Sequence, residues 1–305
     1  MEWVLATGLQ RFQYSLGPVL ILLNHLGCLL LLVTPLGLGA LLWALALYLL
    51  RMLATTAIYH RLITHASYRA PKPVAWLGCL VAASAGQMGP SWWKAHHLQH
   101  HRHVDTERDP HTPLKPSAGW RGLWRSQVGW LLAPSFFPSQ LPADVEADPV
   151  LRAIDRLHAL PVLALAALSW GLGGLPWLAA FCLSTTLLFH GVASVNSVAH
   201  LVGERPFATG DASRNNRWVA LITLGEGWHN LHHAFEASAR QGFGIRNGQL
   251  LLLPDPTFGF IRLLARLGWA WDLRIPSQQA LLKRAAKADL QGRSSSSTIG
   301  ASAAG

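Results

Sequence analysis

The chain has 305 residues, of which 51% are hydrophobic and 13% are charged, and its net charge is +10. A soluble domain carries about a quarter charged residues, so this composition argues against an ordinary soluble protein. The positive charge suits attraction to anionic lipid headgroups or to an acidic partner protein. No motif or aromatic–basic platform for nucleic acid accompanies the charge, so we expect no nucleic-acid partner.

Two long stretches, residues 12–50 and 157–203, contain no Asp, Glu, Lys or Arg. A helix needs about 20 apolar residues to cross a bilayer, so each stretch has room for two crossings. Turn-forming residues lie near the middle of each stretch, at 34–37 and at 171–176. The sequence therefore predicts an all-α integral membrane protein with transmembrane hairpins over residues 12–58 and 157–203. The alternative is a pair of buried helical hairpins in a soluble protein.

The basic residues indicate how these hairpins are oriented. All 25 Lys and Arg residues except Arg11 and Arg51 lie in residues 59–156 or 204–293, and the hairpin turns have none. By the positive-inside rule, both termini and both large polar segments face the cytoplasm. We expect a cytoplasmic N-terminus over residues 1–11, a cytoplasmic helical cap formed by residues 59–156 and 204–290, and a disordered tail over residues 291–305.

One apolar segment, residues 74–93, does not fit a simple crossing. It is short, it is interrupted by glycines, and it contains the polar Gln87. A single crossing here would put the histidine-rich segments on its two sides on opposite faces of the membrane. The segment is therefore predicted to be interfacial or re-entrant.

Histidine is the residue type that points to chemistry. In residues 229–233, three histidines follow one another at i, i+3 and i+4, so one helix face carries all three. Nine of the 15 histidines fall into such groups at span ends or in the cap: His60, His65, His97, His100, His101, His200, His229, His232 and His233. All nine could converge on one layer of the molecule.

Nine neutral imidazoles in one layer indicate metal. Imidazole suits Fe, Zn, Cu and Ni, and one ion accepts four to six ligands, so nine donors match two ions. A structural zinc site needs only four ligands and favours Cys. A redox-active pair can hold successive oxidation states, which favours two irons, although nitrogen ligands alone do not exclude other metals.

The local register of the second group stays open on spacing alone, because His96 with His100 matches the i, i+4 pattern as well as His97 with His101. The other histidines are expected outside the metal sites. His103, His111 and His158 are predicted to be surface residues or to lie behind the ligands. His25 and His190 lie within the predicted spans, where the alternative is a haem held between helices.

Four sequence blocks make the chain resemble a known family. They are HRLITH at 60–65, HLQHHRHVDTERDPHTP at 97–113, NSVAH at 196–200 and TGDASRNNRWVALITLGEGWHNLHHAFEASARQG at 209–242, and WDLRIPS at 271–277 adds a terminal match. Together they are similar to the three histidine boxes of the membrane-bound fatty-acyl desaturases, most of all in the Δ9-type plant and cyanobacterial branch. The resemblance covers residues 59–276.

The resemblance implies a fold and a ligand set. Four transmembrane helices lie under a cytoplasmic cap that holds a di-iron centre, which agrees with the charge-free hairpins. The family pattern selects His97 over His96, so the nine histidines named above are the implied ligands, and Asn196 reaches a metal through water. We expect Asp105 and Asp109 behind the ligands, where carboxylates fix imidazole tautomers.

The implied reaction is the O₂-dependent insertion of a cis double bond, of the Δ9 type, into an acyl chain carried on CoA or on a membrane lipid. Electrons have to come from another protein, with ferredoxin as the first candidate and cytochrome b5 as the second. Trp93, Trp228 and Phe235 are candidates to line a bent tunnel for the acyl chain, or else ordinary interfacial aromatics. The competing functions are a related di-iron membrane hydroxylase or ketolase and, from another class, a metal transporter.

The chain departs from the family pattern in three places. Leu98 stands where the family usually has an Arg that is not a ligand. Val192 and Ala193 replace a common Thr-Trp pair near the acyl chain, which affects the expected pocket shape. Residues 243–249 replace a Trp-Trp-Gln stretch.

Overall fold

The computed structural model describes residues 3–288, so the tail expected over residues 291–305 lies outside the described residues. The described part is mostly helical, with α1 (Gly8–Gly27), α2 (Leu38–Leu53), α3 (Lys72–Ala83), α4 (Pro90–His103), α5 (Gly119–Gln127), α6 (Ala143–Glu146), α7 (Pro149–Arg156), α8 (Ala159–Ser197), α9 (Arg217–Ile222), α10 (His229–Ala234) and α11 (Pro256–Arg266). Short 3₁₀ turns occupy Cys28–Leu32, Gly129–Leu132, Pro134–Phe136 and Val198–His200, and a last helix covers residues 278–288.

Three helical stretches of the described chain are long and apolar enough to cross a membrane: Gly8–Leu32, Leu38–Thr64 and Ala159–His200. The first two are separated by the non-helical residues 33–37, where the sequence predicts the turn of the first hairpin. The third combines α8 with the 3₁₀ turn that follows it. The sequence predicts two spans in this third stretch.

The backbone of α8 is broken in its middle. Gly173 (φ −158°, ψ 21°) and Gly174 (φ 64°, ψ −149°) leave the helical region, and the positive φ of Gly174 favours a residue without a Cβ. Val162 and Phe181 pack in the same buried cluster with Leu47. On a straight helix these two residues would be about 28 Å apart, so the chain reverses direction at the glycine pair.

Arg51 joins α2 to its neighbours inside the apolar part of the molecule. The side chain is fully buried, and its guanidinium donates to the carbonyl of Ser84 (3.1 Å) and to the hydroxyls of Thr185 (2.8 Å) and Ser184 (2.7 Å). A buried cation is tolerated only when its donors are satisfied. Arg51 therefore fixes α2 against α3 and the second half of α8.

The chain after α2 winds as a π-helix over Ala54–Thr64, which carries the first histidine box. Residues five apart on an α-helix point about 140° away from each other. A π-helix bonds residue i to residue i+5, and here the His65 amide donates to the His60 carbonyl (3.1 Å). The unusual winding therefore places His60 and His65 on the same side, as an HxxxxH spacing needs.

The apolar segment 74–93 does not form one continuous helix. α3 ends at Ala83 and has 12 residues, about 18 Å, which is too short to cross a bilayer. Residues 84–89 form a turn and loop, and Trp92 and Trp93 already belong to α4, the helix of the second histidine box. That this segment is interfacial or re-entrant stays a prediction.

The N-terminus of α4 is held by Asp155 of α7. This fully buried carboxylate accepts hydrogen bonds from the backbone amides of Ser91 (2.9 Å) and Trp92 (3.0 Å), which have no partner within the helix. It also accepts one from the hydroxyl of Tyr14 on α1 (2.6 Å). Asp155 therefore sets where α4 begins, and with it the position of the second histidine box.

The expectation of a purely α-helical protein needs a correction. Two antiparallel strand pairs are present in the described chain, β1 (Trp3–Val4) with β2 (Leu141–Pro142) and β3 (Phe243–Arg246) with β4 (Gln249–Leu252). The second pair turns at Asn247 (φ 52°) and Gly248 (φ 74°). Asn-Gly with two positive φ angles is the preferred two-residue hairpin loop, so residues 243–249 contain a strand signal that the helical interpretation missed.

We expect Asp155→Ala to lower the thermal unfolding midpoint of the detergent-solubilised protein. The substitution leaves three buried donors without an acceptor, at about 1–3 kcal/mol each. The matched control is Asp272→Asn, because the exposed carboxylate of Asp272 lies 3.4 Å from Arg69 and is worth less than about 1 kcal/mol, and Asn tolerates the φ of 52° at this position. Circular dichroism melts measure both, and equal midpoints for the two variants would contradict the capping role.

Candidate metal centre

The nine predicted histidines lie in two adjacent groups. The ring nitrogens of His60, His65, His97 and His232 come within 4.8 Å of one another, and so do those of His100, His200, His229 and His233. His101 joins the first set, because its Nε2 is 3.0 Å from that of His97 and 2.9 Å from that of His232. We name these five and four residues the first and the second histidine group.

The distances within each group match those between ligands of one ion. In the first group the Nε2 atoms of His65 and His97 are 2.8 Å apart, and in the second those of His200 and His229 are 3.0 Å apart. Nitrogens about 2.1 Å from a common ion lie about 3.0–3.4 Å from each other, depending on the geometry. The two groups touch where the rings of His101 and His233 stack with centroids 4.6 Å apart.

Local structure explains how the third histidine box is presented. Gly225 has a φ of 125°, a conformation that L side chains rarely adopt, and the turn at this position leads into α10. His229, His232 and His233 then occupy i, i+3 and i+4 of α10, and α4 repeats that spacing with the second box. Helical periodicity therefore supplies six of the nine imidazoles from two short segments.

Each group is held from outside by carboxylates that meet the Nδ1 atoms of its histidines. The pairs are His60 with Glu226, His100 with Asp109 (2.9 Å), His101 with Glu236 (3.3 Å), His200 with Asp105 (3.1 Å) and His233 with Asp211 (2.9 Å). A carboxylate that accepts a hydrogen bond from Nδ1–H keeps the proton on that nitrogen and leaves the Nε2 lone pair free to face inward. The outer carboxylates thus fix the tautomer that metal binding needs.

The electrostatics fit this arrangement. Burial lowers the pKa of His97 and of His229 well below the usual value, and neighbouring imidazoles lower it further, so both rings are neutral near pH 7. Burial by itself raises the pKa of Asp109, but the His100 ring outweighs it and holds the pKa below its usual range. The pKa of His100 shifts in the opposite direction. Burial by itself would lower this pKa, but the neighbouring Asp109 carboxylate outweighs burial and raises it.

The register ambiguity of the second box is resolved by the direction of His96. Its Nδ1 lies 3.0 Å from the carbonyl of Trp92 and its Nε2 lies 2.9 Å from that of Ser135. Its ring packs on Trp92 and away from both groups. His97 faces the other imidazoles, as the family pattern implies.

Two small cavities border the first and second groups. Trp93, His97, Val192 and Asn196 line both cavities, so the two spaces lie against the same four residues. The Trp93 ring stacks on His97 with centroids 5.0 Å apart. The structure therefore places Trp93 where a tunnel residue is expected, and Asn196 beside the histidines.

Trp228 and Phe235 are not among the residues that line these cavities. The Trp228 indole donates to the carbonyl of Pro254 (2.7 Å). Phe235 packs at the edge of a different buried cluster, in contact with Phe207. Trp228 and Phe235 flank α10 and their side chains contact other parts of the chain, so these cavities give no support to their predicted tunnel role, which stays a prediction.

The remaining histidines take other places. His25 and His190 face each other with their Nε2 atoms 3.0 Å apart. Two axial ligands of one haem iron have to stand about 4 Å apart with a macrocycle between them, so this pair leaves no room for a haem. His111 is buried against the His100 ring and His158 contacts the carbonyl of Asp155, so neither is a surface residue.

Sequence reasoning found only some of the residues that support the imidazoles. Asp105 and Asp109 are placed as expected, whereas Asp211, Glu226 and Glu236 were missed. Glu226 is itself anchored by Arg61, which also meets Asp255 at 3.1 Å. A single acidic residue shows no periodic pattern in a sequence. The only sequence signal for these three carboxylates was their position inside the long block at residues 209–242.

Comparisons with known proteins agree with this geometry. The model of the fatty acid desaturase family matches residues 19–241. An acyl-CoA C20 Δ5-desaturase of Anemone leveillei is 37% identical over 230 residues, which are 73% of this chain and 70% of that protein. An sn-1 stearoyl-lipid 9-desaturase of Anabaena variabilis is 35% identical over 74% of this chain and 80% of its own length.

A palmitoyl-monogalactosyldiacylglycerol δ-7 desaturase of Arabidopsis thaliana chloroplasts is 34% identical over 77% of this chain and 62% of its own length. The resemblance to plant and cyanobacterial desaturases is thus confirmed. The family model covers most of the chain, and relatives above 30% identity cover more than two thirds of it, so the chain belongs to the fatty acid desaturase family.

Proposed function

We propose that the chain is a membrane-embedded desaturase that inserts a cis double bond into a saturated acyl chain, using O₂, a di-iron centre and electrons from a separate protein. The observation that carries this proposal is the pair of adjacent histidine groups beside a narrow cavity, in a chain of the desaturase family. The named relatives act at positions 5, 7 and 9, and we propose position 9 because the histidine blocks resemble the Δ9-type branch.

The donor set of the site fits iron. The nine inward nitrogens are imidazole nitrogens with no thiolate among them, and each group could supply four or five ligands to one ion. The first group would hold one ion and the second group the other, with Asn196 near enough to the histidines to contribute through water. Bound iron supplies the oxidising power that an unactivated CH₂–CH₂ requires, because such carbons offer no acidic hydrogen to a general base.

The residues of the chain supply position and protection. One CH₂ pair has to stop beside the histidines, and about 1 Å of misplacement can cost a hundredfold in rate. Trp93, which stacks on His97 and lines both cavities, is suited to hold the acyl chain at that point. Removing two hydrogens and reducing O₂ to two waters also consumes two electrons and two protons, so the atoms balance only with an external reductant.

We propose ferredoxin or cytochrome b5 as that reductant. Both carry electrons singly and are acidic, and the basic residues of the chain are concentrated in the segments proposed as the cap. The same segments hold eight of the nine histidines, and His200 ends the last proposed span. Donor docking and metal binding would then share one side of the membrane.

The proposed topology has four crossings, from α1, α2 and the two halves of α8 before and after Gly173. Residues 12–58 and 157–203 form the two hairpins, residues 1–11 precede them, and residues 59–156 and 204–290 form the cap. The reversal of α8 and the charge-free spans support this arrangement. The positive-inside rule places the termini and the histidines on the cytoplasmic face.

Expression in a host that lacks unsaturated fatty acids tests the activity. We expect monounsaturated acyl chains to appear, and mass spectrometry after derivatisation locates the double bond. A fully saturated profile with folded, iron-loaded protein would overturn the desaturase proposal. Hydroxylated or ketone products instead would favour the hydroxylase or ketolase reading.

We expect His100→Ala and His232→Ala to abolish the activity, one variant for each histidine group. Each removes a buried inward nitrogen, so iron content should fall while the protein still inserts in the membrane. His103→Ala on the same helix α4 is the control, since His103 belongs to neither group. Wild-type iron content and turnover in either ligand variant would remove that residue from the metal site.

We expect Asp211→Asn to lower iron affinity by about 10- to 100-fold, because the amide cannot hold the His233 tautomer as a carboxylate does. Titration of the metal-free protein with Fe²⁺ measures the affinity without any need for turnover. Asp272→Asn on the exposed surface is the matched control. Equal affinities for the two variants would show that Asp211 does not orient a ligand.

A further inference from the structure

The chain from α11 to residue 275 exposes five large apolar side chains within a short stretch. Leu263, Leu267, Trp269, Trp271 and Ile275 are each between 43% and 54% exposed. Single exposed apolar residues are normal on a protein surface, whereas a dense run of them marks an interaction surface. We name these five residues the apolar patch.

Helix α11 carries the first part of this patch beside two arginines. Ile261 and the other buried residues of α11 turn one side of the helix to the core. Leu263 with Leu267, and Arg262 with Arg266, are i, i+4 pairs on the outer side, where all four residues are exposed. Leucines that continue beyond the core contact, with arginines beside them, are typical of a helix that lies in the lipid–water interface.

Two further exposed arginines lie against the same segment. Arg69 and Trp271 exchange backbone hydrogen bonds of 2.8 and 2.9 Å. The amide of Arg274 donates to the carbonyl of Ser67 (2.9 Å). Ser67 follows His65 of the first histidine group closely in sequence, so this surface is joined directly to the layer of the histidines.

The surface has a net positive charge that the protein itself does not balance. Residues 262–275 together with Arg69 contain four arginines and one acidic residue, Asp272, which leaves a charge of +3. Asp272 lies 3.4 Å from Arg69. The guanidinium groups of Arg262, Arg266 and Arg274 make no hydrogen bond or ion pair with the described part of the chain. Three cations can therefore receive an external anion.

The packing of α11 places it where a proposed span leaves the hydrocarbon core. The hydroxyl of Thr257, near the start of α11, is 2.8 Å from that of Thr56 in the π-helix, and Ile261 belongs to the buried cluster that contains Ala54. Ala54 lies about 24 Å along the helix from Leu38, where the span-capable stretch begins, and the hydrocarbon core is about 30 Å thick. Helix α11 therefore runs beside the membrane boundary.

We propose, on the topology proposed above, that the apolar patch and the arginines around it bind the headgroups of anionic phospholipids in the leaflet beside the cap. The leucine and tryptophan side chains enter the boundary between headgroups and acyl chains, where tryptophan is enriched. The guanidinium groups of Arg262 and Arg266 meet phosphate oxygens with their paired N–H donors. Because Ser67 joins this surface to His65, lipid binding holds the first histidine group at a fixed height above the membrane.

A fluorescent label measures whether the patch lies in lipid. Leu267→Cys is labelled with nitrobenzoxadiazole in a Cys28→Ser background, because Cys79 and Cys182 are buried and only Cys28 is half-buried. The full chain is reconstituted in nanodiscs of phosphatidylcholine and phosphatidylglycerol. We expect lipids with a nitroxide headgroup to quench the label and iodide in the water to leave it unquenched. Leu263→Cys repeats the measurement one turn earlier.

Lys283→Cys in the same background is the matched control. Lys283 lies on the last helix, residues 278–288, which packs through Leu281 and Ala285 and has no exposed large apolar side chain among its described residues. We expect iodide to quench this label and the nitroxide lipids to leave it unquenched. A label at position 267 that iodide quenches as strongly as the label at position 283 overturns the inference.

Titration with short-chain lipids tests the arginines. The labelled, detergent-solubilised protein receives short-chain phosphatidylglycerol, short-chain phosphatidylcholine or inorganic phosphate, and the label at position 267 reports binding. We expect half-saturation at a concentration about tenfold or more lower for phosphatidylglycerol than for phosphatidylcholine, since each basic residue near the headgroups contributes roughly fivefold. Arg262→Gln combined with Arg266→Gln should remove most of this difference, whereas Lys283→Gln should leave it unchanged.

The other outcomes identify a different occupant. Equal half-saturation by the two lipids overturns the preference for anionic headgroups, and a response to inorganic phosphate alone assigns the arginines to a free anion. A label that iodide quenches, together with a raised KM for reduced ferredoxin in the double arginine variant, would assign this surface to an acidic electron donor. The lipid measurements need no turnover, so their failure is distinguishable from failure of the desaturase function.

Discussion

The structure depends on a constraint set by imidazole itself: a neutral ring has one nitrogen that donates and one that accepts. When nine rings turn their accepting nitrogens towards common points, the lone pairs of these nitrogens crowd together. The arrangement is stable only if the other ring nitrogens donate hydrogen bonds outward, or if a metal binds the crowded lone pairs. The outward hydrogen bonds come from distant parts of the chain. Glu226, next to the third box, holds His60 of the first, and Asp211 holds His233 across 22 residues.

These contacts join the histidine-bearing segments into one unit. Glu226 and Asp255 are bridged by the buried Arg61, so one positive charge offsets part of the negative charge of these two carboxylates. Asp155 fixes the start of α4 by accepting a hydrogen bond from the backbone amide of Ser91, and Arg51 holds α2 against α8. The apolar helices therefore do more than anchor the protein, because their packing determines where the histidine-bearing segments begin.

The parts of the fold that could be predicted are those encoded over short distances. Charge-free runs indicated the long apolar helices, the glycine pair near residue 173 indicated the break in α8, and the i, i+3, i+4 pattern indicated which side chains share a face. Spacing could not separate His96 from His97, since only tertiary contacts decide which ring turns inward. The family resemblance made that choice, and the geometry agrees with it.

What could not be predicted depends on contacts between distant residues. The π-helix at Ala54–Thr64 has no local signature other than the histidine spacing it serves. Glu236 and Asp211 look like ordinary surface acids in the sequence, and Trp228 looks like a tunnel residue although its indole faces Pro254. The hairpin at Asn247–Gly248 was a local signal that was overlooked.

The most direct test of this account is the position and number of metal ions in the iron-loaded protein, located by anomalous scattering at the iron absorption edge. The account predicts two iron peaks in each chain, one among the Nε2 atoms of His60, His65 and His97 and one among those of His200, His229 and His233. A single peak, or peaks of another metal in active protein, would contradict it.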